Sequence, residues 1–291
     1  MMYHREWNPP WPLNIRATVG LHRRGSGDPA FTYARDGSIW RCVHTPDGPG
    51  TLTVRSDATS VIGRAWGPGA SWLLDRMPDL LGARDTPEAL APRDQVVAQL
   101  VARSEGLRMG RTDRVWEALV PAILEQKVVG REAWRAWRYL LRRYGDRAPG
   151  PVPDRMRVPP PPSVWAQIPS WEWHRSGAEP VRMRTIRGAT SIDVERHADR
   201  LTVLRGVGPW TEAEVRMRAV GDADAVPVGD YHIPSLVGQT LIGEPVDDDG
   251  MLELLEPYAG QRGRVVRLCE LHGTMPERHG HRMSVRDYRS L

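Results

Sequence analysis

Residues that favour β-structure alternate or cluster in the N-terminal part of the chain. They lie in four segments, residues 14–19, 31–33, 38–44 and 51–56. Short runs rich in glycine, proline and aspartate separate these segments, at residues 25–29, 36–37 and 46–50. Because such runs favour turns, the pattern predicts antiparallel hairpins in a β-rich domain over residues 1–85.

Helical periodicity dominates from Pro87 onward. Nine segments carry it, residues 92–105, 113–144, 163–176, 180–189, 193–204, 210–220, 231–243, 250–258 and 261–272. The proline-rich stretch from Pro149 to Pro162 interrupts them and predicts an extended crossover. The expected fold class is therefore α+β, with an N-terminal antiparallel β-sheet domain followed by a mostly α-helical domain over residues 86–291, in two subdomains.

The most informative motif lies between two of the predicted helices and reads Leu204-Arg205-Gly206-Val207-Gly208-Pro209-Trp210-Thr211. A Gly-x-Gly turn leaves backbone N–H groups uncovered at the start of the second helix, where the helix dipole also favours an anion such as phosphate. After that helix, an irregular loop delivers the carboxylate of Asp230 close to the hairpin. The pattern favours DNA-backbone binding coupled to chemistry on a base, with a plain helix connection as the alternative.

This arrangement resembles the helix-hairpin-helix-GPD superfamily of DNA glycosylases, and most closely its 3-methyladenine DNA glycosylase II branch. Residues 106–109 followed by 116–126 resemble the family's first core helix, and residues 257–258 with 264–271 resemble its closing helix. Relatives in this branch also carry an N-terminal antiparallel β-sheet domain. The resemblance implies a hairpin at residues 193–220 that binds double-stranded DNA containing damaged bases through Gly206, Val207, Gly208 and Thr211.

Asp230 matches the family's catalytic aspartate. Cleavage of an N-glycosidic bond leaves positive charge on the sugar, so an ionised carboxylate near the anomeric carbon would stabilise that cation and orient the attacking water. An alkylated purine such as 3-methyladenine or 7-methylguanine is already cationic, and it leaves without protonation by a second acid. The resemblance thus implies base flipping and hydrolysis in base excision repair. The alternative role for Asp230 is to cap the following helix.

Three residues are candidates for the base pocket that the resemblance implies, namely Trp210, Tyr231 and His272. A cationic base stacks favourably on electron-rich indole and phenol faces. The alternatives are core packing for Trp210 and Tyr231 and a surface position for His272. Met109 matches the bulky apolar residue that fills the gap left by a flipped base in the family. Its alternative role is that of an ordinary helix-capping hydrophobe.

Strand-cleaving members of the superfamily have a lysine nucleophile at the hairpin position that Trp210 fills here. Indole cannot form a Schiff base, and the only lysine in the chain, Lys127, is placed by the resemblance in another helix. We therefore expect a monofunctional enzyme without lyase activity. The sequence departs from the family pattern at Glu125 and Lys127, where relatives often have small or uncharged residues, and at Arg205, which replaces the hairpin's usual proline.

Composition agrees with nucleic-acid binding. The 291 residues carry a formal net charge of +4, and all but one of the 40 Lys and Arg residues are arginine, whose guanidinium suits phosphate. A GC-rich genome would give the same arginine preference. Because the chain also has 36 acidic residues, DNA binding is expected from a local basic face around the hairpin.

No cofactor is expected to be required. Two cysteines, Cys42 and Cys269, cannot form the four-cysteine iron–sulfur cluster of some relatives. The tail residues Cys269, His272, His279 and His281 resemble zinc-ligand spacing, but Cys269 continues an apolar helical pattern and the later histidines lie in a polar end.

The resemblance implies one structural ion, a monovalent cation held at the hairpin by the main-chain carbonyls of Thr202, Leu204 and Val207.

No run of about 18 apolar residues occurs, and the N-terminus lacks a signal-peptide apolar region. We expect a cytoplasmic monomer that joins the nucleoid when bound to DNA and has no membrane partner. Two other functions stay open. One is a helix-hairpin-helix DNA-binding protein with weak or no glycosylase activity, and the other is a glycosylase for oxidised or mismatched bases.

Overall fold

The computed structural model describes residues 1–57 and 59–276. The strands are β1 (Met2–Trp7), β2 (Phe31–Tyr33), β3 (Ile39–Thr45), β4 (Gly48–Asp57), β5 (Ser60–Trp66), β6 (Asp146–Arg147) and β7 (Arg157–Val158). The α-helices are α1 (Ile15–Val19), α2 (Ala70–Leu80), α3 (Gln95–Arg103), α4 (Val115–Glu125), α5 (Gly130–Tyr144), α6 (Pro162–Gln167), α7 (Ser170–Ser176), α8 (Pro180–Ala189), α9 (Pro209–Ala219), α10 (Ile233–Leu241), α11 (Asp248–Leu255) and α12 (Arg262–His272). Short 3-10 helices lie at Gly20–His22, Pro87–Ala89, Val194–Arg196, Leu201–Val203 and Glu256–Tyr258.

The first five strands form one antiparallel sheet in the order β1-β5-β4-β3-β2. Alternate apolar residues of these strands are buried against α1 and α2. Gly63 of β5 lets α2 approach closely, because a Cβ there would lie 2.3 Å from the sulfur of Met77. The predicted α+β class, with an N-terminal antiparallel sheet followed by helices, is confirmed.

The strands predicted near residues 31–33, 38–44 and 51–56 are confirmed. The predicted strand over residues 14–19 is wrong, because the side chain of Asn14 accepts a hydrogen bond from the amide of Ala17 (3.0 Å) and caps α1 instead. The sequence analysis also missed the edge strand β1 and its neighbour β5. The glycine inside β5 weakens the strand pattern that would have indicated it.

Two apolar cores support the helical part. The first joins α4, α5, α8 and α9, and within α4 every residue is buried except Glu117 and Glu125. The second joins α3 with α10, α11 and α12. Strands β6 and β7 pack with Cys42 of β3 through Ala148, Met156 and Val158, so contacts cross the predicted division at residue 85. That division stays a prediction.

Three predicted helices differ from the structure. Residues 113–144 form two helices separated at residues 126–129, and residues 163–176 form α6 and α7 on either side of Pro169. The predicted helix over residues 193–204 is wrong, because only two 3-10 turns form there. Val194, Leu201 and Leu204 are buried, as a helix would bury them. Asp199, Thr202 and Val203 have low helix propensity, and the backbone hydrogen bonds donated by residues 196–204 run from an amide to the carbonyl three residues earlier, as in a 3-10 helix.

The cysteines are buried and unpaired in different cores. Burial raises the pKa of each thiol to about 12, which keeps both protonated and unsuited to bind a metal. Over residues 1–57 and 59–276, no group of three or more His, Cys, Asp or Glu is arranged to hold a metal ion. His279 and His281 lie outside the described residues.

Among the helices that the structure describes, none combines the length and the apolar character needed to cross a membrane.

Candidate active site and nucleic-acid interface

The glycine turn, residues 204–208, joins the 3-10 helix Leu201–Val203 to α9. Gly206 has φ +90°, and a Cβ there would lie 2.2 Å from Thr185 Oγ1 on α8, so both backbone conformation and packing require glycine. Gly208 has open space beside it, because no atom lies within 4 Å of the position that a Cβ would take. Within the described residues no side chain caps the start of α9. Its first amides therefore face an open approach.

Two side chains hold the glycine turn in place. Gln126 Nε2 donates to the carbonyl of Gly206 (2.9 Å) and to Thr211 Oγ1 (2.9 Å). Glu212 accepts a hydrogen bond from the amide of Thr202 (3.0 Å). The turn is thus fastened to α4 on one side and to the first turn of α9 on the other. Thr211 is buried and its hydroxyl takes part in this support, and its contact with DNA stays a prediction.

Asp230 ends the loop after α9 and is half-buried. Its Oδ2 accepts a hydrogen bond from Trp210 Nε1 (2.8 Å), and its Oδ1 accepts from the amides of His232 (2.7 Å) and Ile233 (3.0 Å). The carboxylate therefore holds the amides at the entry to α10, whose N-cap residue is His232, and also lies against a residue of the hairpin. No basic side chain in the described residues pairs with it.

The predicted base-pocket residues separate in the structure. Trp210 is half-buried and packs on the core of α4 and α9, and its indole N–H donates a hydrogen bond to Asp230. Tyr231 is 80% exposed and meets the ring of His232 edge-on, with centroids 4.8 Å apart. His272 is exposed at the end of α12, and the described residues show no hydrogen bond or ring contact from it to the other two. Trp210 and Asp230 are thus in contact, Tyr231 follows Asp230 in the chain, and a shared base pocket with His272 stays a prediction.

The loop that carries Asp230 is anchored at two points. Asp224 accepts hydrogen bonds from the amides of Gly260 (2.8 Å) and Arg262 (3.1 Å) and pairs with the Arg262 guanidinium. Burial alone would raise the pKa of Asp224, but the bonds from Arg262 hold that pKa below its usual value. Nearer the carboxylate, the amide of Gly229 donates to Asp248 Oδ1 (2.9 Å). The anchors fix the position of Asp230 relative to the hairpin.

The other acidic residues close to Asp230 in the sequence are ion-paired. Glu214 is buried and pairs with Arg218 (2.6 Å), and Asp222 pairs with Arg216. Glu214 and Asp222 thus have cationic partners, whereas the described residues show no ion pair for Asp230 or for Glu212, which holds the amide of Thr202.

Met109 is 3% exposed and packs with Ala213, Met217 and Ala225 beneath α9. Its amide donates to Asp85 Oδ2 (2.8 Å), which fixes the segment. This burial disagrees with the predicted role of Met109, because filling the gap left by a flipped base needs an exposed side chain. Flanking arginines made the segment look solvated, but its apolar side chain turns inward.

Lys127 does not lie in a helix. It is exposed in the connection between α4 and α5, and its φ of +49° is unusual for a residue with a Cβ. Glu125 before it pairs with Arg24 (2.7 Å) and accepts from Trp134 Nε1 (3.3 Å), so the acidic residue is accommodated. The β-branched pair Val128-Val129 was the signal for a break, although a weak one.

The carbonyls predicted to hold a cation lie along the glycine turn. The carbonyl of Leu204 accepts the amide of Val207 (3.0 Å), which closes the turn. A carbonyl oxygen has a second lone pair, so this bond leaves room for a cation. The cation on the carbonyls of Thr202, Leu204 and Val207 stays a prediction.

A buried charge cluster underlies the hairpin helices. His22 lies close to Arg24, Arg41 and Arg218, and its Nε2 is buried and has no hydrogen-bond partner in the described residues. Arg24 and Arg218 pair in turn with Glu125 and Glu214. Burial, reinforced by nearby arginines, holds the pKa of His22 well below its usual value. Burial likewise raises the pKa of Glu214, against the pull of Arg218. This cluster joins the N-terminal 3-10 helix to α4 and α9.

No family model matches the chain. Two curated relatives, from two strains of Mycobacterium tuberculosis, carry the name probable bifunctional transcriptional activator/DNA repair enzyme AlkA. Each is 27% identical over an alignment that covers 75% of this chain and 47% of the relative. The chain therefore spans about half the length of the curated relatives it matches.

Solved structures are similar over nearly the whole chain. The 3-methyladenine DNA glycosylase from Archaeoglobus fulgidus aligns with a TM-score of 0.77 at 15% identity and covers 91% of this chain and 97% of its own. The 8-oxoguanine glycosylase/lyase from Clostridium acetobutylicum, in its apo form, aligns with a TM-score of 0.71 at 12% identity and covers 93% and 98%. The predicted resemblance is confirmed at the level of the fold, and this chain has the fold of the helix-hairpin-helix-GPD DNA glycosylases.

Proposed function

We propose that this protein is a DNA glycosylase that flips alkylated purines, of the 3-methyladenine or 7-methylguanine type, out of double-stranded DNA and hydrolyses their N-glycosidic bonds. One observation carries the proposal. The carboxylate of Asp230 lies against Trp210 of the hairpin, beside an open glycine turn. The names of the similar glycosylases and of the DNA repair relatives support the reaction class.

The glycine turn would bind the DNA backbone. The uncapped amides at the start of α9 and the positive end of its dipole suit a phosphate oxygen, and Gly208 leaves the approach clear. Two exposed basic residues, Arg205 and Lys127, lie in or beside the turn. Their positive charges attract phosphate locally. A large net charge over the whole chain is therefore not needed.

Asp230 would act on the sugar. Three N–H donors fix its two oxygens before substrate binds, so little reorganisation is needed when positive charge develops at the anomeric carbon. An ionised carboxylate has about four lone-pair sites, and three donors leave one for the sugar cation or for the attacking water. Each 1.4 kcal/mol of added stabilisation is about tenfold in rate.

Selection of the base would depend on its charge. The exposed ring of Tyr231 lies next to Asp230, and a cationic purine over an aromatic face gains about 0.5–2 kcal/mol. Trp210 would act mainly through its N–H, since its ring packs on the core. Because indole replaces an amine in the hairpin, water is the nucleophile of the base-excising step.

A monovalent cation on the carbonyls of Thr202, Leu204 and Val207 would stiffen the glycine turn and add positive charge near the phosphate.

The test measures released bases and DNA binding separately on methylated duplex DNA, for wild type, Asp230→Asn and Asp199→Asn. Asparagine keeps the shape of the side chain and removes the charge. Asp199 carries an exposed carboxylate close to the hairpin in the chain, so its variant controls for loss of one negative charge. We expect release from wild type and Asp199→Asn, and only a small residual release from Asp230→Asn at equal DNA binding.

Binding without release by wild type would overturn the proposal in favour of a helix-hairpin-helix DNA-binding protein. Release only from oxidised or mismatched substrates would keep the reaction and overturn the substrate class.

A further inference from the structure

Lys127 is the one primary-amine side chain in a chain whose other basic residues are arginine and histidine. It is exposed, and its backbone is held in the left-handed region between α4 and α5. Residues with a Cβ adopt that conformation only where their surroundings impose it, and such positions cluster at functional sites.

The contacts around Lys127 come from the residue before it. The side chain of Gln126 bonds to Gly206 and Thr211, and its carbonyl accepts a hydrogen bond from Arg182. Both the side chain and the main chain of Gln126 are therefore tied to the structure around the hairpin. Lys127 is fixed beside the glycine turn as a result.

The same contacts connect Lys127 to the proposed site of chemistry. Thr211, which Gln126 holds, directly follows Trp210, and Trp210 Nε1 donates to Asp230 Oδ2 at 2.8 Å. Lys127 and Asp230 thus lie in two different loops that both connect to the segment from Gly206 to Thr211. DNA bound at the turn would meet both.

We propose that the Nζ amine of Lys127 captures abasic sites in DNA as a Schiff base. The inference rests on the proposed function, since hydrolysis of an N-glycosidic bond leaves an abasic sugar whose open form has an aldehyde at C1′. The neutral amine attacks C1′, a C–N bond forms, and the aldehyde oxygen takes up protons and leaves as water. The product is a protonated imine, and its hydrolysis releases the DNA again.

Arginine cannot perform this step, because its guanidinium stays protonated. A lysine that only contacts phosphate would be replaced by arginine without loss. Lys127→Arg therefore separates amine chemistry from charge, and the low lysine content removes the background of other amines. The remaining amine is the N-terminus at Met1.

The experiment uses the full chain and duplex DNA in which an abasic site has been made beforehand, with borohydride to reduce the imine to a stable secondary amine. Because the abasic site is preformed, trapping does not depend on base excision by this protein. Wild type, Lys127→Arg and Asp230→Asn are compared at equal occupancy of the DNA. Trypsin does not cleave at a modified lysine, so the adduct is located in the peptide of residues 115–131.

We expect wild type and Asp230→Asn to be trapped, with the adduct on Lys127, and trapping to be lost in Lys127→Arg at the same occupancy of the DNA. Equal trapping of Lys127→Arg, or an adduct on the N-terminus, would overturn the proposal, as would DNA binding by wild type with no trapping. Absence of base release from methylated DNA would instead count against the proposed glycosylase and leave this result unaffected.

Discussion

Replacing Trp210 by phenylalanine tests how the proposed catalytic carboxylate is positioned. The change removes the indole N–H that lies 2.8 Å from Asp230 Oδ2 and keeps an aromatic ring against the core. The amides of His232 and Ile233 still hold the other oxygen. One charge-assisted hydrogen bond is therefore lost while the cap of α10 remains.

The size of the effect follows from that single bond. A hydrogen bond to a charged group contributes about 1.5–3 kcal/mol, and 1.4 kcal/mol is about tenfold in rate. Asp230 is only half-buried, so water can replace the lost donor and the lower end of the range applies. We expect the single-turnover rate of base release from methylated DNA to fall about tenfold, with DNA affinity nearly unchanged.

A double-mutant cycle separates positioning from packing. If Trp210 acts through the carboxylate, Trp210→Phe has no further effect on residual release in the Asp230→Asn background. Trp171→Phe, at a half-exposed tryptophan on α7, controls for the substitution itself. The reasoning would be refuted if the two substitutions lowered the rate independently in the double variant. It would also be refuted if Trp210→Phe left the rate unchanged.

Three further predictions follow from packing and burial. Gly206→Ala should lower the melting temperature, because Gly206 has φ +90° and a Cβ there would meet Thr185. Gly208→Ala should keep the melting temperature and weaken DNA binding, because its Cβ would obstruct the amides of α9. Equal melting temperatures for the two variants would contradict this. Urea unfolding should show stability falling as the pH drops below about 6.5, because the unfolded chain protonates His22 there while the folded pKa of His22 is held lower. His22→Asn should flatten that dependence, and an unchanged slope would rule out His22 as its source. Met109→Ala should lower the free energy of unfolding by about 2–5 kcal/mol and leave base release by the folded fraction intact. A loss of base release at unchanged stability would instead indicate that Met109 contacts DNA.

Local causes explain what could be predicted from sequence. The glycine turn has glycine where φ is positive and proline at the first position of α9, and both choices can be inferred from the residues alone. The strands β2, β3 and β4 have turn residues between them. Asp230 could be placed near the hairpin because only one short helix and one anchored loop lie between them.

Tertiary causes explain what could not be predicted. Met109 lies in an irregular segment, where no periodicity indicates which side chain turns inward. The break between α4 and α5 has neither glycine nor proline before Gly130, and apolar spacing continues across it. The conformation of Lys127 depends on Gln126, whose partners Gly206 and Thr211 are about eighty residues away in the chain. Neighbouring residues carry no sign of such contacts.

Two roles considered for Asp230 in the sequence turn out to be compatible. A helix cap and a catalytic carboxylate both need the side chain fixed at the chain entry to α10, and the cap occupies only one oxygen. Alanine at this position would remove the cap, at about 1 kcal/mol, together with the charge, whereas asparagine keeps an oxygen for the cap. Asp230→Asn therefore isolates the chemistry from the fold.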